Sequence, residues 1–591
     1  MHPEEEIQAR VAAQATKPFP VVQTPRPEGT PPRPRWLFPA GEWAIIIPLT
    51  LIALIPRVLL ALQLDISTDE PIYILASNWY ILLFRQLNIT STNWLYNNEH
   101  PAFAKLLMGL SIHTFQYLHP ANQLFPARVP SVLLGTLMIV AVYILGKNAF
   151  GRAVALVAAL SLALSPWMAY FSSEALLDMT MTTCITLACL CLWHAIRRPR
   201  LYALTGILIG LAGASKYPAA LVVPGMLLFV AYYYGILRRA LPASARPSLP
   251  WRWWLIGLCL IPVSFFLADP PIWADPVHRL ITSLQFSLGH ADTGHVTFWA
   301  GQTVEHVPAW MIFYVVFAKV SAFVTLPALF FAVFAAIQLI RFHWPRQTFQ
   351  RPQPPAARVN KVAALAFLWL WLINGFICFG QLNILVGTHY YLPIAPPLFL
   401  AGTTGLAIVV RALFRRLLPA RASQPASQSG GVRTRPAFDW RVALVLAILA
   451  LVVVGPHLIG LLTVADADGY TNEFFHGANS SLEVTYDGYR DADTWLLAHS
   501  KSGGTVGVVG GPATGLWYMA NPQKMDKLQF DVVQYGSKRF NFDYLIWPEN
   551  LIQRGWAPSA AWQAHLVHII SGGNTTYCLI MARDPSSLTA G

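Results

Sequence analysis

Apolar runs about as long as a bilayer core is thick recur through most of this chain. GEWAIIIPLTLIALIPRVLLALQ, RVPSVLLGTLMIVAVYILG and RVALVLAILALVVVGPHLIGLL are examples, each reaching the roughly 20 residues a helix needs to cross hydrocarbon. The pattern predicts about eleven spanning helices. They are placed at 43–63, 129–146, 153–170, 178–196, 202–214, 218–237, 253–268, 311–340, 362–379, 391–410 and 442–463. The fifth is short for a span and the eighth longer than one needs.

Two further apolar, aromatic stretches, PIYILASNWYILLF (71–84) and PAFAKLLMGLSIHTFQYL (101–118), are too short or too interrupted to span. They predict helices lying in the membrane interface, within a first outer loop over 64–128. A second outer loop covers 269–310. After residue 463 the pattern changes to short alternating runs, GTVGVVGG, FDYLIW and TTYCLIMA, separated by polar and Gly-rich turns. These predict a small α/β domain over 464–591. Its VVGGPATGLWYMA segment reads as strand, Gly turn and helix, and lacks the residues of a nucleotide loop, so turn packing explains it.

The predicted fold class is therefore an α-helical polytopic membrane protein with a small C-terminal extracytoplasmic α/β domain. Residues 1–42, rich in Pro, Glu, Arg and Ala, form a disordered cytosolic tail and 43–463 the transmembrane domain. Composition agrees: 55% hydrophobic and 12% charged residues, with a mean hydropathy of +0.47. The net charge of +13 resides largely in clusters such as Arg197, Arg198 and Arg200, or Arg411, Arg415 and Arg416. By the positive-inside rule these face the cytosol, with the N-terminus, and send the C-terminal domain outside a plasma (inner) membrane. Topology thus accounts for the charge, and no nucleic-acid partner is implied.

Candidate chemistry gathers on the predicted outer face. Asp69 and Glu70 adjoin just past the first span, and NNEHPAFAK supplies Glu99, His100 and Lys105. A carboxylate there would handle the proton of a hydroxyl while basic groups hold a phosphate. Pro101 suits the first turn of a helix capped by the Asn98–His100 run, opening an anion-binding N-terminus beside His100 and Lys105. Glu174 and Asp178, four apart, are expected on one helix face. Lys216 is a cation that wants an anion. The long loop adds Asp269, His290 and His295, candidates for contacting a sugar or acceptor; His290 and His295 fit no compact zinc pattern.

At these residues the chain resembles the protein O-mannosyltransferase branch of the C-type glycosyltransferases. Asp69 and Glu70 match its Asp-Glu pair, HPAFAKLL its HPPLGKxL segment, ALLDMTMT its Leu-Leu-Asp segment, and HYYLPIAPPLFLAG, with His389, a late span of bacterial members. The resemblance covers 43 to about 410 and implies the GT-C fold. It also implies inverting transfer of mannose or a related sugar from a polyprenyl-phosphate donor to a protein, lipid or glycan acceptor. Asp69 would be the catalytic or acceptor-positioning carboxylate, with Glu70 beside it. His100, Lys105 and Lys216 would bind the donor phosphate. Glu99 is similar to the acid of the related lipid A aminoarabinose transferases, which helps bind a metal, so Glu99 and Asp178 would support a divalent Zn, Mg or Mn ion. One departure is Glu174, where the family often has Arg. A transporter or flippase is the rival reading; its ionisable groups would sit in mid-span, whereas here most lie at helix ends.

Overall fold

Long apolar helices dominate the architecture of this computed structural model. It describes residues 40–589 except 67–68, 119–122, 294–295, 344–355, 383–386, 418–439, 462–463, 476, 478, 480, 502, 511–527 and 538–539. The chain divides into two compact units, 1–46 and 47–591; the described part of the first is the start of a helix over Ala40–Gln63. Everything below concerns the second.

Among the described residues, eight helices are long and apolar enough to cross a membrane. They are Gly41–Gln63, Leu124–Phe150, Leu177–Ala195, Tyr217–Ala240, Trp251–Ala268, Ala322–His343, Ala356–Phe379 and Thr388–Leu413. The other predicted spans correspond to shorter or broken helices. The third becomes Arg152–Ala163 followed by a one-turn-and-a-half helix, Pro166–Phe171, because Pro166 has no N–H to continue the ladder. The fifth is Leu201–Gly213, and the last is Trp440–Ile459.

The eighth predicted span is not one helix. It divides into Met311–Lys319 and Ala322–His343, with Val320 extended between them. Side chains from a later segment hold the break open. Glu473 accepts bonds from the Ser321 hydroxyl at 2.7 Å and the Ala322 N–H at 2.9 Å, and His457 Nε2 faces the Ser321 N–H at 3.2 Å. Freed backbone groups inside a helical bundle survive only with such partners.

Helices cross closely where glycine permits it. A Cβ on Gly206 would lie 2.0 Å from the Gly257 carbonyl oxygen, so Leu201–Gly213 and Trp251–Ala268 meet backbone to backbone. Glu70–Arg85 and Phe103–Leu118, the two non-spanning helices of the first loop, pack likewise; a Cβ on Gly109 would be 2.4 Å from the Ser77 carbonyl. Under them, Trp94 is buried against Ala76, Tyr80, Leu83 and Ala102, and its indole donates to the Asn88 carbonyl at 2.7 Å.

The C-terminal part carries a mixed five-stranded sheet. Numbering strands along the chain, a hairpin of β1 (Thr297–Trp299) and β2 (Gln302–Val304) comes first. The sheet follows with β3 (Gly504–Gly510), β4 (Leu528–Gln534), β5 (Tyr544–Pro548), β6 (Leu566–Gly572) and β7 (Thr575–Ala582), in the order β4-β3-β5-β7-β6. β3 runs parallel to β4 and β5, and β7 antiparallel to β5 and β6. The three predicted strands are the inner ones. The edge strands β4 and β6 escaped prediction because each buries less of itself, giving LQFDVVQ and LVHIISG a weaker apolar signal. The turn and helix expected after β3 lie outside the described residues.

Candidate functional site

The first-loop acids part company at the start of the Glu70–Arg85 helix. Glu70 is fully buried and takes two bonds from Arg128, Nε to Oε1 at 2.7 Å and Nη2 to Oε2 at 2.6 Å, and a third from the Ala175 N–H at 2.7 Å. Arg128 also donates to the carbonyls of Ala61 and Leu64, at 2.9 and 2.8 Å, and to that of Asp65. One guanidinium thus fastens the end of the first helix to the helices that follow. Glu70, expected beside Asp69 in catalysis, is held by Arg128 and the Ala175 N–H. Asp69, the residue before the helix, is half-buried and faces a small cavity.

Asp178 and Lys216 form the second element. Lys216 Nζ lies 3.0 and 2.8 Å from the two Asp178 oxygens and 4.0 Å from the centre of the Tyr390 ring, and both charged side chains are 2% exposed. The helix carrying Asp178 begins at Leu177, so Glu174 sits in the preceding loop and not four residues along one helical face. Asp178 makes no cap; its charge answers Lys216, as a buried cation requires. Tyr73 joins this group. Its hydroxyl is held well above the usual phenol range, by burial first and then by the field of Asp69, with Tyr390, Asp178 and Glu99 contributing. Tyr73 and Tyr390 were missed as site residues, and Arg128 as the partner of Glu70. Tyr390 lay within the quoted HYY run; an aromatic in a span carries no other signal.

The helix mouth behaves differently from expectation. Lys105 is fully buried and spends its three N–H donors on the Asn97 carbonyl at 2.8 Å, the Asn97 side-chain oxygen at 3.1 Å and the His100 carbonyl at 2.7 Å. Its ammonium also lies 5.2 Å from the Tyr80 ring centre. Lys105, expected at the donor phosphate, here clasps the loop ahead of its own helix. The cap comes from another element: Asp269 Oδ1 accepts the Ala102 N–H at 2.8 Å. Asp269, expected to contact sugar or acceptor, is buried here, its carboxyl raised by that burial against the pull of the Ala102 N–H and of Lys105. Glu99 and His100 touch at 3.6 Å, and the His100 ring lies 6.2 Å from that of Tyr73.

His389 stands on the cavity wall, buried, with its ring 4.5 Å from Tyr390 and 5.5 Å from Phe171. The cavity, about 40 Å³, is bounded by Asp69, Glu174 and His389 on one side and by Glu483, Asn550 and Arg554 of the C-terminal part on the other. That part is tied down nearby. Arg490 donates its N–H to Asp65 Oδ2 at 2.7 Å and its guanidinium to the Leu62 and Gln63 carbonyls, both at 3.0 Å. Glu483 pairs with Arg554 and accepts from the Thr297 hydroxyl at 3.0 Å, joining the β1–β2 hairpin to the same wall. The His290 side chain and His295 lie outside the described residues. Among the described residues no three His, Cys, Asp or Glu side chains come together as metal ligands. Glu99 lies against His100, and Asp178 against Lys216.

Comparison with known proteins accords with this picture. Residues 99–267 match the family model described as dolichyl-phosphate-mannose-protein mannosyltransferase. No curated protein matches the chain. Among solved structures it is similar to ArnT from Cupriavidus metallidurans bound to undecaprenyl phosphate, at 14% identity and a TM-score of 0.44, covering 94% of this chain and 100% of that one. It is also similar to the Archaeoglobus fulgidus oligosaccharyltransferase in the apo form, at 14% identity and a TM-score of 0.47, covering 84% of this chain and 65% of that one. The assignment rests on the sequence match, which spans the His-Pro segment, Asp178 and Lys216. Over residues 99–267 this chain is similar to the dolichyl-phosphate-mannose-protein mannosyltransferase family.

Proposed function

We propose that this protein is an inverting glycosyltransferase that moves mannose or a related sugar from a polyprenyl-phosphate donor to an acceptor hydroxyl at the outer face of the membrane. The observation that carries this reading is the gathering of Asp69, Tyr73, Asp178, Lys216 and Tyr390 at one end of the helices, in a chain whose residues 99–267 match a lipid-linked mannosyltransferase family. The acceptor oxygen attacks the anomeric carbon from the side opposite the phosphate. As the new C–O bond forms and the bond to phosphate breaks, Asp69 takes the acceptor proton and polyprenyl phosphate leaves with the electron pair. Asp69 suits this role because, unlike Glu70, it is half-exposed to the cavity and is not paired with Arg128.

Lys216 supplies positive charge where the leaving phosphate gains negative charge, and Asp178 and Tyr390 fix its ammonium in place. Because the donor is already activated, orientation and one proton transfer suffice. The donor's isoprenoid tail would lie in the bilayer between the apolar helices, which brings its phosphate to the site. The test uses membranes containing the full chain and labelled mannosyl-phosphoryl-polyprenol. Wild type should form labelled product, and Asp69→Asn should form it about 10²–10⁴ times more slowly at equal expression. Turnover by Asp69→Asn at the wild-type rate would overturn the assignment.

A further inference from the structure

Glu174 stands apart from every other acid near the site. It is fully buried, both its carboxyl oxygens lack a hydrogen-bond partner among the described residues, and it lines the same cavity as Asp69. His389, on the same wall, has a buried Nδ1 that is likewise without a partner. Its neighbours Glu70 and Arg128 are absorbed in each other, and burial holds the Glu174 carboxyl well above the usual carboxylate range, with Glu70 adding to the effect and Arg128 opposing it. A buried acid and a buried imidazole nitrogen without partners leave hydrogen-bonding capacity pointed at an occupant.

The cavity says what that occupant is. At about 40 Å³ it has room for a small polar group, a water needing about 10–15 Å³ on the same measure. Arg554 on the far wall disfavours a cation, its partner Glu483 being already paired, and Asp69 disfavours an anion. A hydroxyl both donates and accepts, as do a carboxylic acid and an imidazole between them. We propose that this cavity is a hydroxyl-binding subsite in which Glu174 and His389 hold a hydroxyl beside Asp69. That hydroxyl belongs to the sugar of the donor or to the acceptor, an attribution that rests on the glycosyl-transfer reading.

Infrared difference spectroscopy on the purified full chain tests it without turnover. At pH 7 the wild-type minus Glu174→Gln difference should contain a carboxylic-acid C=O band, and glycerol, as a hydroxyl probe, should shift that band. Glu174→Asp, which keeps the acid but shortens its reach, should retain a band that glycerol no longer moves. Mannosyl-phosphoryl-polyprenol and a threonine-containing peptide, added separately, distinguish the sources: a shift with the first assigns the hydroxyl to the donor, with the second to the acceptor. No acid band, or a wild-type band that glycerol leaves in place, would overturn the subsite. Absence of sugar transfer by the wild type would instead sink the glycosyltransferase reading and leave this measurement intact.

Discussion

Glu70 and Arg128 form a buried two-pronged ion pair, Nε to Oε1 at 2.7 Å and Nη2 to Oε2 at 2.6 Å, and this pair separates the duties of two adjacent acids. Removing one partner strands a charge away from water, at a cost of about 3–5 kcal/mol. Arg128→Leu should therefore lower the thermal unfolding midpoint in detergent sharply. Glu70→Gln, which keeps the shape but not the charge, should do so as well. An unchanged midpoint in both variants would refute the scaffold role.

Asp69→Asn should behave in the opposite way. Its midpoint should stay near wild type, because the side chain makes no cap bond, while the rate of sugar transfer falls by about 10²–10⁴, the usual worth of a positioned acid or base. Parallel measurement of unfolding and labelled product formation separates the two neighbours.

Lys216→Met and Asp178→Asn should each destabilise the protein, since each leaves its partner buried without a counter-charge. Combined, they should cost less than their sum, with a coupling of about 0.5–3 kcal/mol. Strict additivity in the double-mutant cycle would mean that the two do not interact in the folded protein. Lys216→Met alone should also weaken donor use, while its effect on acceptor KM stays small.

Lys105→Ala separates a scaffold role from phosphate binding. With its donors spent on Asn97 and His100, its loss should lower the unfolding midpoint and expose the loop over 87–98 to protease. Apparent donor KM should change by no more than about twofold. A large, selective rise in donor KM would restore Lys105 to the phosphate.

Asp487, in the C-terminal part, predicts a pH dependence. Burial pushes its carboxyl from 3.8 up to about 7, with Asn550 and Arg554 opposing the shift. The folded state then holds a proton that the unfolded state has released, so this group's contribution to stability falls as pH rises from about 4 to about 7 and is level above that. Unfolding midpoints of wild type should decline relative to Asp487→Asn across that window. Parallel pH profiles for the two proteins would exclude the shift.

Much of this protein was decided by its sequence alone. Apolar length selected membrane helices, alternating patterning selected the inner strands of the sheet, and the order of the Asp-Glu, His-Pro and Leu-Leu-Asp segments carried the family resemblance. These are local properties, set by what each stretch of chain can bury. Tertiary structure decided the partners. Nothing local tells Asp69 from Glu70; Arg128, 58 residues after Glu70, does so by reaching one and not the other. Lys105 and Lys216 read alike as cations near a membrane surface. Their surroundings differ, one closed off by Asn97 and His100 and the other set between Asp178 and Tyr390. The break at Val320 and the capping of Ala102 by Asp269 were hidden for the same reason. Whether a buried polar group serves the scaffold or the site depends on what lies across from it, and in this chain those opposing groups come from distant segments.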